Sequence, residues 1–75
     1  MNKKKQILKI LNEWEQDFKV FGRNLPFEIE NLEKARLYAI NLCIHSPLNE
    51  IQQEAEEFLD LTKNLTQKEY KKFFT

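Results

Sequence analysis

Between Lys4 and Phe21 the large apolar residues Ile7, Leu11, Trp14, Phe18 and Phe21 recur at steps of four, three, four and three. A period of 3.5 is the seam of an amphipathic helix, so the spacing predicts α-helix over about residues 4–21, widened at its start by Leu8 and Ile10. Gly22 then offers the left-handed residue that commonly ends a helix. In Asn24-Leu25-Pro26 the proline forces Leu25 into an extended turn.

The most continuous apolar run is Leu37-Tyr38-Ala39-Ile40-Asn41-Leu42-Cys43-Ile44. The strong helix formers of Glu28 to Arg36 precede it without a turn signal, which favours a helix of about 27–45 over a buried strand. At 100° per residue, Ile29, Leu32, Ala35, Ala39, Ile40 and Cys43 share one broad arc, extended by Leu37 and Ile44. Only a narrow polar strip around Glu30, Lys34 and Asn41 remains, so this helix is expected to be central, with neighbours on two sides. Ile40 is expected at its buried middle, where a charge would unfold the chain.

Ser46-Pro47 reads as a cap followed by a proline at the first helical position. A third helix is predicted over about 47–62, with Leu48, Ile51, Ala55, Phe58 and Leu59 inward and Gln52, Gln53, Glu54, Glu56, Glu57 and Asp60 outward. Thr66-Gln67-Lys68-Glu69 has the capping-box pattern, and Leu65 and Tyr70 have the spacing of a hydrophobic staple. Together they predict a short fourth helix over about 67–74. Eight residues are not helical alone in water, so it must dock through Tyr70, Phe73 or Phe74. Neighbouring helical residues differ by 100°, so one docking face does not easily bury both Phe73 and Phe74, and whether both are buried stays open.

One glycine and two prolines in 75 residues leave little material for β-hairpins. The expectation is a single all-α domain over 1–75, a small antiparallel bundle of three main helices plus a short C-terminal fourth. A chain this short can waste little apolar surface, so a partner or a second copy, giving a homodimer, is expected to cover whatever stays outside.

Formal net charge is zero, but it is segregated: +4 over residues 1–9, −1 over 10–27, −6 over 28–60 and +3 over 61–75. Nucleic acid is disfavoured by the neutral total and by the acidity of the helix that follows Ser46-Pro47. The Lys3-Lys4-Lys5 start resembles the head of a signal peptide, but the next apolar run is interrupted at Lys9 and ends before Glu13, too short to be cleaved or to span a bilayer. With one cysteine there is no internal disulfide, and a soluble, cytoplasmic chain is expected. Richness in Lys, Asn, Ile and Glu suits a bacterial or phage source by compositional association.

Catalytic and cofactor chemistry finds little to use. Cys43 and His45 point about 200° apart on a helix and form no local nucleophile–base pair. Glu50, Glu54 and Glu57 form a helical row with no histidine to complete a metal site. No catalytic, metal or cofactor residue is therefore assigned, and no enzyme activity is expected. The positive candidates are surfaces. Glu50, Glu54, Glu56 and Glu57 form an acidic face suited to a protein partner with a basic surface. Phe73 and Phe74 are aromatic anchors of the kind that dominate interfaces.

The pattern leads to a small non-enzymatic protein-binding module, a regulator, inhibitor or adaptor. The runner-up rests on architecture alone: a small, Lys-rich helical bundle resembles the bacteriocin immunity proteins, and that resemblance would imply action at the inner membrane face.

Overall fold

The computed structural model describes residues 2–75, and these form an all-α bundle with principal extents of 30 × 24 × 22 Å. Its elements are α1 (Lys3–Val20), α2 (Leu32–His45), α3 (Asn49–Leu61) and α4 (Gln67–Lys71), the last running into a 3₁₀ turn at Lys72–Phe74. No strand occurs among the described residues.

Helix α1 follows the seam. Ile7, Leu11 and Trp14 are buried, joined by Ile10. Asn2 caps it, accepting from the Lys4 N–H at 2.9 Å. At the other end Gly22 adopts φ 68°. The Gly22 N–H donates to Lys19 O and the Arg23 N–H to Phe18 O, both at 2.9 Å, which is the Schellman closure expected of a glycine after a helix.

Helix α2 starts five residues later than the apolar pattern predicts. Asn31 caps it, accepting from the Lys34 N–H at 3.0 Å. The preceding residues are held in a turn by α4: Gln67 Oε1 accepts from the Leu32 N–H at 2.8 Å, Gln67 Nε2 donates to Glu30 O at 2.7 Å, and the Tyr70 hydroxyl donates to Ile29 O at 2.6 Å. Side chains distant in sequence thus satisfy backbone groups that a longer helix would have paired, and helix propensity gives way to tertiary contact.

Helix α2 has neighbours in α3 and α4, but its buried arc is narrower than the apolar pattern predicts. Its buried residues are Leu32, Ala35 and Ala39, whereas Leu37, Ile40 and Ile44 are exposed, Ile40 by 41% and Ile44 by 66%. The most extensive helix pairing is between α2 and α3, whose fully buried alanines Ala35, Ala39 and Ala55 lack the bulk to hold the two helices apart. The largest buried side chains of the core, Trp14, Phe58 and Tyr70, are aromatic and come from helices other than α2.

Helix α3 begins at Asn49 and not at Pro47. Ser46 closes α2, its N–H donating to Leu42 O at 3.0 Å, while its Oγ accepts from the Leu48 N–H at 3.3 Å. Gln52 reaches back from the first turn of α3 to donate to Ser46 O at 2.6 Å, stitching the connection. Leu48, expected inward, is exposed. The far end of α3 is fixed by a contact with no sequence signature: Thr62, buried, donates to Phe58 O at 2.8 Å and accepts from Arg36 Nη1 at 2.6 Å. Arg36 Nη1 also donates to Leu59 O at 3.0 Å, so a cation from α2 sits on the terminal carbonyls of α3, where the helix dipole favours it.

The capping box at α4 is present as predicted. The Glu69 N–H donates to Thr66 Oγ1 and the Thr66 N–H to Glu69 Oε1, both at 3.1 Å. These bonds hold the Glu69 carboxyl below its ordinary pKa, the Thr66 backbone N–H being the largest cause. Thr66→Ala is expected to cost ~1 kcal/mol of local stability and to release Gln67 and Tyr70 from the loop before α2. Amide exchange accelerating at Glu69 to Phe73 and at Leu32, with α1 unchanged, is the expected result; unchanged exchange at both places would contradict it.

Candidate interaction surface

The aromatic seam of α1 continues past the core into a surface feature. Trp14 packs edge-on against Tyr38 at 5.2 Å between ring centroids and tilted against Phe58 at 5.0 Å, and Tyr38 in turn meets Phe18 at 6.0 Å and Phe27 at 5.3 Å. Trp14, Phe18 and Tyr38 of this layer floor a groove of ≈ 410 Å³, bordered by Val20 and Phe21 of the α1 terminus, Leu42 of α2 and Ile51 of α3. Val20 and Phe21 stand 78% and 79% exposed, although Phe21 belongs to the predicted seam. The helix closes at Phe21, the residue that precedes the glycine turn, and the ring projects beyond the bundle.

Asp17 and Ile51 also border a second depression, lined by Glu13, Gln16, Leu48, Glu50 and Glu54. Apolar groove and acidic depression are therefore continuous. Glu54, expected to point outward, is half-buried and turned toward α1. Its pKa is pushed up to about 7, first by burial, then by a hydrogen bond shared with the Glu13 carboxyl and by the charges of Glu13 and Asp17. The Trp14 side chain lies beside Glu54 and offsets part of the rise. It does not reach hydrogen-bond geometry with any acceptor, and Nε1 is a buried donor left unsatisfied.

The predicted acidic face is therefore split. Glu50, Glu54 and Glu57 border α1, whereas Glu56 lies on the flank near Cys43. Glu50, Glu56 and Glu57 are exposed. Phe73 and Phe74 are both half-buried, packed on Tyr70 at 6.1 and 5.2 Å, because the chain tightens into a 3₁₀ turn that brings both rings back to one side chain. The question that the helical period left open is thus answered, with both rings partly covered. Burial raises the pKa of the Cys43 thiol, and Glu56 adds to the rise, the opposite of nucleophile activation. Among the described residues, no group of His, Cys, Asp and Glu is arranged to hold a metal ion, and no helix is long and apolar enough to cross a membrane.

Sequence reasoning missed the groove. A signal was present, since the seam keeps its period to Phe21 while the acids Glu13 and Asp17 flank its last turns. The observed features define a small all-α bundle with a contiguous apolar and acidic face. No protein-family model, curated protein or solved structure matches the chain.

Proposed function

We propose that this chain is a small non-enzymatic protein-binding module, a regulator, inhibitor or adaptor that acts by covering part of a partner. The observation that carries the reading is the groove at the end of α1, where Val20 and Phe21 stand in solvent beside an aromatic floor. In a 75-residue chain with little apolar surface to spare, such exposure costs solubility and is offset when a partner desolvates it. Cytoplasmic action and a bacterial or phage source belong to the same proposal.

Site-specific photocrosslinking in the source cell tests it. A photoreactive residue at Phe21 should give a discrete protein adduct, whereas one at Lys63, outside the groove, should not. Adducts of equal yield from both positions would overturn the reading. An adduct to lipid would favour the membrane-face action of the immunity-protein alternative.

A further inference from the structure

From the joining of the apolar groove to a cluster of acids, we infer that the occupant is a cationic amphipathic helix of a partner protein: its apolar side enters between Phe21, Leu42 and Ile51, and its Lys or Arg residues meet Glu13, Asp17, Glu50 and Glu54. The inference rests on the protein-binding reading and names the chemistry of the partner.

Three observations carry it. The groove is walled by Val20, Phe21, Leu42 and Ile51 and floored by aromatic rings, which suits rows of Leu or Ile at helical spacing. Among the described residues its acidic side makes no ion pair within the chain, the one pair being Lys19 with Glu15, at 3.5 Å on the surface of α1. Lys9 borders the cluster from the other end of α1, and Arg23 sits on the apolar lip, yet neither makes an ion pair with Glu13, Asp17, Glu50 or Glu54. The third observation is Trp14, only 2% exposed, which lies beside Glu54 and whose indole N–H is buried without a hydrogen-bond partner. A cation arriving at Glu54 favours its ionised form, and an ionised carboxylate is the stronger acceptor for that N–H. Partner binding would then satisfy a donor that the free protein leaves unpaired.

Trp14 is the single tryptophan of the chain, so its fluorescence reports the site directly. A synthetic helical peptide of Leu and Lys with one apolar face is the probe, and a peptide with every Lys changed to Glu is its control. The Leu/Lys peptide should shift Trp14 emission saturably, and affinity should fall with added salt. The Asp17→Asn/Glu54→Gln double variant should weaken binding roughly tenfold and flatten the salt response, since charge pairing sets this term. Phe21→Ser should also weaken binding roughly tenfold, with the salt response retained. Ile40→Ser, outside the groove, should bind as wild type, and circular dichroism of each variant checks that the helices remain.

Equal binding of the Leu/Glu peptide would overturn the inference, as would binding that the double variant leaves intact. Sedimentation of the free protein as a dimer that Phe21→Ser dissociates would overturn it in favour of a second copy. Failure of the peptide together with a discrete Phe21 protein adduct in the cell would sink the cationic partner and leave the binding-module reading standing. Failure of both would sink the two together.

Discussion

Phe58→Ala is expected to lower the midpoint of the cooperative thermal melt by roughly 15–30 °C, because deleting a buried aromatic ring costs about 3–5 kcal/mol and each kcal/mol shifts a domain of this size by several degrees. Phe58 is fully buried, and its ring is tilted against Trp14 at 5.0 Å. Its carbonyl also accepts from the Thr62 hydroxyl, so the residue joins the core to the locked end of α3. A chain of 75 residues holds only about 4–11 kcal/mol in total, so the loss takes a large share of the margin. Circular dichroism at 222 nm followed with temperature measures it. A melt within a few degrees of wild type would mean that Phe58 is not in the core.

The comparison with Ile40 shows where the sequence was legible. Ile40 sits in the most apolar run of the chain, and from the pattern alone it is the residue where a charge should do most damage. At 41% exposure an aspartate there meets water, and Ile40→Asp is expected to cost about 0.5 kcal/mol, mostly helix propensity. The apolar count along α2 misleads because burial there is decided by Ala35 and Ala39, which contribute little to any hydrophobicity sum. Caps that rest on neighbouring residues were readable. The Thr66–Glu69 box and the Gly22 stop follow from side chains within one turn of each other. The start of α2 was not, because Gln67 and Tyr70 fix it from 35 to 41 residues away. The Arg36–Thr62 contact was hidden for the same reason.

The surface was legible in part. The acidity of α3 and its outward face follow from helical period, and Glu50, Glu56 and Glu57 are indeed exposed. What period cannot give is the neighbour. Glu54 and Glu57 both border α1, but Glu54 alone of the two is half-buried there, hydrogen-bonded to Glu13 and beside the charge of Asp17. Phe21 likewise has the spacing of a core residue, yet it closes α1 and stands in solvent.

Glu54 supplies the second large effect. Its carboxyl is held from an ordinary 4.5 up to about 7, so the folded protein takes up a proton more readily than the unfolded chain. Stability linked to this group is fully present below about pH 4.5 and is lost as pH rises through about 7, where the folded state must carry the Glu54 charge beside Glu13 and Asp17. Undiscounted, such a shift corresponds to roughly 3 kcal/mol; partial exposure to solvent reduces the expected contribution to about 1–2 kcal/mol. Glu54→Gln removes the charge and leaves an amide that can still hydrogen-bond to Glu13. The variant should be more stable than wild type at pH 8 by about 1–2 kcal/mol and close to it at pH 5. Urea denaturation of both proteins at the two pH values measures the difference. If the two differ by the same amount at pH 5 as at pH 8, Glu54 does not titrate in this window and the repulsion at the α1–α3 edge is absent. A narrowing of the gap at pH 8 on adding the Leu/Lys peptide would follow from the same charges, since a bound cation relieves in wild type the repulsion that the glutamine removes.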